Sequence, residues 1–270
     1  MFTTLVDGSN FILISGDPNP QEFFVLKDLL AMASPFFKDM LTLPQSLNDT
    51  RDIPTITVTE TGNCIELLLQ FVYPTPEPRV DTLDDLVPVL RAAIKYDLTI
   101  AVERLRRRLV SFDFLRTSPI RVYGIASQLE LTEEANMAAQ HVLRENALKS
   151  AKADDLHHVS AYWYHQLLTL KQRRIDEARK MLVPPENLKC MQCNSFGHGA
   201  SGLPNWWHDF VKRAQAELAE RPMTDTIFSM QFIAQSATSG CPRCPLSLLE
   251  AVSSLTRLKS DMDTALDAVQ

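Results

Sequence analysis

Short apolar runs and helical spacings share the first hundred or so residues. Asn10 to Ser15 (NFILIS) is an apolar run bounded by Gly8 and by the turn Gly16 to Pro20 (GDPNP), and Gln21 to Leu26 (QEFFVL) follows at once. Two such runs across a Gly/Pro/Asn turn predict a β-hairpin. Lys27 to Leu41 suits a helix, interrupted where Ser34 can act as N-cap and Pro35 as the first residue of a new helix. The alternating, β-branched Ile56 to Thr59 (ITVT) predicts a strand. Gly62 to Tyr73 is a strongly apolar helix stopped by Pro74, and PTPEP is an extended connector. Helix resumes from Asp81 to Tyr96, and Thr99 can cap another to about Ser111.

From Pro119 onwards the pattern predicts helices and no strand. Pro119 to Glu130 is one helix, and Thr132, followed by Glu133 and Glu134, can cap the next. Asp154 to Leu182 carries Val159, Trp163, Leu167, Leu170 and Ile175 at roughly helical spacing and ends at Pro184-Pro185. Further helices are expected near Asn205–Arg221, Thr224–Ala237 and Leu246–Val269, with a Gly-rich loop (FGHGASG) before the first. No repeat of fixed period is visible.

Composition narrows the function classes. The 270 residues are 45% hydrophobic and 22% charged, with eight glycines against 16 prolines. These are globular values, and so little glycine argues against phosphate-cradling loops. The net charge of −6 divides as −5 over residues 1–112, +1 over 113–185 and −2 over 186–270. No segment is basic enough to suggest a nucleic-acid module. No apolar run approaches a membrane span, and MFTTLVDGSNFILIS lacks the marks of a signal peptide. The chain reads as soluble and intracellular, cytoplasmic or nuclear.

The order hairpin, two short helices, strand, then paired helices carries a resemblance. Phe23 to Met40 (FFVLKDLLAMASPFFKDM), Ile53-Pro54, Leu67 to Pro78 (LLLQFVYPTPEP), Leu86 to Tyr96 (LVPVLRAAIKY) and Ala101 to Phe112 (AVERLRRRLVSF) resemble the BTB/POZ domain. Ser118 to Ala135 is similar to the helices that follow that domain in a large fungal group, so the likeness extends over about residues 1–148. Two departures are a Leu at position 26, where the family commonly has a His, and the longer acidic GDPNP turn. The resemblance implies an α+β fold at 1–112, a small sheet with helical hairpins. A helical extension at 113–185 and an all-α C-terminal region at 186–270 would follow. It also implies protein partners, through homodimerisation or docking of a scaffold such as a cullin, and no catalytic residues. Phe36, Phe37, Met40 and Leu41 are the candidate partner-binding residues; core filling beside the Leu67–Val72 helix is the competing reading.

The sharpest chemistry lies in the cysteines. Of five, Cys64 stands alone at the start of an apolar helix and reads as a small buried thiol. The others form Cys190-Met-Gln-Cys193 and Cys241-Pro-Arg-Cys244. Each pair can present two thiolates to one ion, and four sulfurs satisfy tetrahedral zinc with no open position, which makes a structural Zn2+ site. The 47 residues between the pairs can hold two helices. A redox dithiol lacks the βαβ context it needs, and unliganded cysteines are the remaining alternative. His198 and His208 are conceivable substitute ligands, though each reads better as a loop or surface histidine.

Other clusters read as structural. Arg104, Arg106, Arg107 and Arg108 suit a solvated helix face with Leu105 and Leu109 turned inward. Lys171 to Lys180 mixes signs at i, i+4 spacing, an exposed face. His157, His158 and His165 with Tyr162, Trp163 and Tyr164 read as aromatic core with polar edges. No Ser-His-Asp order or HExxH motif occurs, so an enzyme is not expected. The rival class is a transcriptional regulator reaching DNA through the zinc region, which its −2 charge disfavours.

Overall fold

A computed structural model describes residues 2, 8–43, 53–76, 78–186, 188–193 and 202–269. The chain divides into two compact units, Met1–Thr117 and Ser118–Gln270, the first α+β and the second helical throughout its described residues.

In the first unit, β1 (Phe11–Ile14) lies between β2 (Glu22–Val25) and β3 (Thr55–Thr57). It pairs antiparallel with β2, Phe11 opposite Val25 and Leu13 opposite Phe23, and parallel with β3, Leu13 opposite Ile56. Successive side chains of a strand point to opposite faces, and Phe11, Ile12 and Leu13 are all buried, so both faces of this central strand are covered. On the edge strand β2 only Phe23 and Val25 point inward, the two-residue period of a half-covered strand. The acidic turn has a structural task. The Ser15 hydroxyl accepts the Gln21 N–H at 2.9 Å, and Asp17 accepts the Gly62 N–H at 2.6 Å. A Cβ at Gly16 would meet the Thr59 carbonyl oxygen at 2.8 Å, so only glycine lets this turn approach the end of the sheet.

Helices α1 (Lys27–Ala33) and α2 (Pro35–Thr42) meet at Ser34, which acts as the cap its sequence predicts. Its hydroxyl accepts the Phe37 N–H at 3.0 Å and donates to the Tyr96 carbonyl at 2.5 Å. One fully buried serine thus starts a helix and ties it to the end of another. Helices α3 (Gly62–Val72), α4 (Leu83–Lys95) and α5 (Thr99–Leu109) pack together, with Leu68, Leu69, Leu86, Leu90, Leu105 and Leu109 buried between them. The short α6 (Phe112–Thr117) completes the unit, its Phe114 ring 4.7 Å beneath the Arg108 guanidinium.

The second unit opens on an antiparallel pair, α7 (Pro119–Gln128) and α8 (Thr132–Arg144). It continues through α9 (Ala153–His157), α10 (Ala161–Met181), α11 (Asn205–Glu220), α12 (Thr224–Ile227), α13 (Met230–Thr238), α14 (Cys244–Glu250) and α15 (Val252–Ala268). Helix α11 presents Trp206, Trp207, Phe210, Ala214 and Leu218 along one buried stripe. Helix α10 packs against α11 and α15, and Ala178, Ile227, Met262 and Leu266 join the same core.

Several boundaries differ from the sequence expectation, each for a local reason. Thr99 and Thr132 are first helical residues rather than caps. In both places an acidic residue takes the left-handed conformation, Asp97 at φ 50° and Glu130 at φ 57°. The following leucine is then buried, and its N–H reaches five residues back: Leu98 to Ala93 and Leu131 to Ala126, each at 2.9 Å. The buried leucine thereby occupies the position where the threonine would have capped. The stretch Asp154–Leu182 is two helices, because Ser160 caps α10 by accepting the Trp163 N–H. Ser229 divides Thr224–Ala237 in the same way through Phe232. Breaks of three and two residues leave little mark on the apolar spacing, so periodicity alone passes over them.

Candidate metal centre

The two cysteine pairs, 51 positions apart in sequence, converge in the second unit. Cys190 lies in the segment leading from α10, and Cys193 ends the turn that follows it. Cys241 lies just after α13, and Cys244 is the first residue of α14, its N–H bonded to the Cys241 carbonyl at 2.9 Å. That short turn aims both sulfurs the same way. Cys190 Sγ is 3.5 Å from Cys241 Sγ, Cys193 Sγ is 3.5 Å from Cys244 Sγ, and Cys241 and Cys244 are 3.7 Å apart. All four sulfurs lie within 4.8 Å of one another. None is disulfide-bonded. A regular tetrahedron built on Zn–S bonds of ~2.3 Å has edges of ~3.8 Å, so these separations fit one small ion.

Among the described residues three helices, α11, α12 and α13, lie between the pairs, one more than the length suggests. Their burial explains why the pairs meet. Cys190 and Cys244 belong to the same apolar core as Trp206, Trp207 and Phe210, while Cys193 and Cys241 sit half-buried at its edge. The Trp206 indole N–H donates to Ser247 Oγ at 3.1 Å, and that hydroxyl donates to the Lys189 carbonyl at 2.5 Å. This relay clips the residue before Cys190 to both α11 and α14. A Cβ at Gly240 would stand 2.4 Å from Cys244 Sγ, so the chain before the second pair must be glycine. Sequence reasoning passed over Ser247 and Gly240; a glycine immediately preceding a Cys-x-x-Cys turn was the available signal for the latter.

Burial, the largest effect, and the neighbouring Cys193 and Cys241 sulfurs push the Cys244 thiol up to about 12, against the opposing pull of the Trp206 and Cys241 backbone N–H groups. Bare thiolates would repel in so small a space, whereas a coordinated divalent ion takes thiols in their deprotonated form. His208 is exposed on α11 and stands outside the sulfur group. His198 and most of the Gly-rich loop lie outside the described residues.

The other sequence candidates are dispersed. Phe37 and Leu41 are buried in the first unit, while Phe36 remains 43% exposed and Met40 half-buried. Phe37 stacks on Tyr96 at 5.0 Å, and Phe36 packs edge-on to Phe37 at 5.5 Å. Cys64 is buried, and burial, with Glu60 nearby, raises its thiol to about 12, the inert condition expected of a core cysteine. Leu105 and Leu109 face inward as expected. The histidine–aromatic stretch is not core. His157, His158 and His165 are exposed and Tyr162 is 61% exposed; within α10 the buried side belongs to Leu167, Arg174, Ile175 and Ala178, and Tyr162 stands about 140° round the helix from Leu167.

A polar cluster of four residues ties the β3–α3 turn to the end of α4. Lys95 Nζ lies 2.8 Å from both Glu60 Oε1 and Thr59 Oγ1, and the Tyr96 hydroxyl donates to Glu60. Burial acts to raise the Glu60 pKa, but the bonds from Lys95 and Tyr96 outweigh it and hold the carboxyl below its ordinary range. Burial, reinforced by Glu60, drives the Tyr96 phenol well above its ordinary value.

Among the described residues no helix is long and apolar enough to cross a membrane. No curated protein matches the chain. The mixed three-stranded sheet and the α1–α5 packing fall within a stretch that a known family matches. Over residues 7–112 the chain is similar to the BTB/POZ domain, a protein–protein interaction module.

Proposed function

We propose that this chain is a non-enzymatic adaptor. Its BTB/POZ-like part, residues 1–112, forms a homodimer or docks a scaffold such as a cullin, and a zinc-braced helical part displays a further surface. The family match over residues 7–112 carries the interaction reading. In this reading the apolar side chains that meet a partner are Phe36 and Met40 of α2, joined by Met32 of α1, which is 84% exposed. Phe37 and Leu41 support them from the core. Adaptable Met and Phe side chains suit such a surface. Light scattering on the full chain at tens of micromolar tests the homodimer: a dimer mass supports it, and a strict monomer refutes it. A pull-down with a fungal cullin that recovers nothing removes the scaffold version.

Structural Zn2+ held by Cys190, Cys193, Cys241 and Cys244 is the second half of the proposal. The supporting observation is the four-sulfur cluster, whose ligands leave no position open for substrate. Such an ion can supply on the order of 10 kcal/mol to folding, and here it would join the segment after α10 to the start of α14. Metal analysis of the purified chain and of Cys190→Ser tests this; equal zinc in both would refute it. DNA contact through the same region remains disfavoured by its charge. We keep 113–185 and 186–270 as separate functional segments within the proposal.

A further inference from the structure

The sulfur cluster is arranged so that each accessible thiol faces a buried one across the cage. Cys193 is half-buried and lies 3.5 Å from the buried Cys244; Cys241 is half-buried and lies 3.5 Å from the buried Cys190. The two shortest separations join the two Cys-x-x-Cys turns, while Cys241 and Cys244 within one turn are 3.7 Å apart. An oxidant arriving from solvent therefore meets Cys193 or Cys241 first, and the resolving sulfur already waits within van der Waals range on the other turn.

Building on the zinc reading, we infer that the cage is a reversible peroxide-sensitive site that releases its metal while keeping its staple. A hydroperoxide oxygen is attacked by the sulfur of Cys193 or Cys241, the O–O bond breaks, and a sulfenic acid forms. The facing sulfur then displaces hydroxide, which leaves as water after taking a proton, and an S–S bond forms. For the whole cage, four thiolates lose four electrons to two molecules of hydrogen peroxide, four protons are consumed, and four waters, two disulfides and free Zn2+ result. The disulfides are Cys190–Cys241 and Cys193–Cys244, so the segment after α10 remains fixed to α14 in covalent form. A dithiol reductant supplied with zinc returns the original cage.

The test uses the full chain loaded with zinc, its metal content measured before oxidation. Hydrogen peroxide is titrated in the presence of a chromogenic zinc chelator, and the products are mapped as non-reduced peptides. One zinc released per two peroxides, with peptides linked 190–241 and 193–244, is expected, and the Cys64→Ser chain behaves the same. Retention of zinc under excess peroxide, disulfides confined to 190–193 and 241–244, or sulfinic acids in their place would overturn the inference. A chain that carries no zinc at the outset refutes the metal reading alone. The same cross-turn disulfides forming in that metal-free chain would still uphold the pairing, and their absence would end both.

Discussion

Replacing Gly240 by alanine adds one methyl group at the tightest point beside the cage. That carbon would lie 2.4 Å from Cys244 Sγ and 2.8 Å from Cys244 Cβ, where ordinary contact begins at 3.4 Å. About 1 Å of movement is needed to relieve it, several times the ~0.2 Å within which metal–ligand distances must hold. The neighbour is no flexible tip: Cys244 opens α14 under a completely buried side chain, and its N–H is fixed to Cys241. Either Cys244 withdraws from the ion or the turn retreats and carries Cys241 with it. The expected result is a ~10–100-fold loss of zinc affinity, the scale seen when a ligand's supporting shell is disturbed. At fixed free zinc that corresponds to roughly 1.4–2.8 kcal/mol of lost stability. Competition against a chromogenic chelator, with helical circular dichroism confirming the fold, measures it. Wild-type zinc affinity in Gly240→Ala would refute the claim that these four sulfurs form one closed cage.

Other perturbations follow from the same geometry. Ser34→Ala strands a buried N–H at Phe37 and a buried carbonyl at Tyr96, and should cost ~1–3 kcal/mol in urea unfolding. Leu86→Ala removes a completely buried side chain from the α3–α4–α5 packing and should cost ~2–5 kcal/mol. Trp206→Phe keeps most of the ring but removes the indole donor to Ser247, and should accelerate zinc loss to a chelator. The Glu60 carboxyl is held below its ordinary range, so its contribution to stability is complete above the unfolded carboxylate pKa of ~4.3 and disappears as pH falls through the folded value. Glu60→Gln should flatten that part of the acid limb. The raised Tyr96 phenol works at the opposite end: its contribution is complete below the unfolded value of ~10 and is lost as pH rises further.

Much of the first unit can be read directly from the chain because its signals are local. The GDPNP turn between two apolar runs defines the hairpin, and Ser34-Pro35 divides α1 from α2 with the cap observed. What escaped is long-range. Nothing in ITVT specifies that β3 lies parallel to β1, nor that Asp17 reaches across to the first N–H of α3. The breaks at Ser160 and Ser229 follow serine caps that compete with an unbroken apolar period. The misread aromatic stretch shows the same limit: which face of α10 is buried is set by the neighbours it meets, and these are α7, α11 and α15. At the candidate metal centre the four cysteines stand out from their spacing alone. Their support does not, since Lys189, Trp206, Gly240 and Ser247 come together only after α11 to α14 have packed.

X-ray absorption at the zinc edge, on the full chain with its metal stoichiometry determined, bears most directly on this account. One zinc per chain surrounded by four sulfurs at ~2.3 Å is the expected spectrum. Nitrogen or oxygen in the first coordination sphere, or a folded chain without bound zinc, would contradict it.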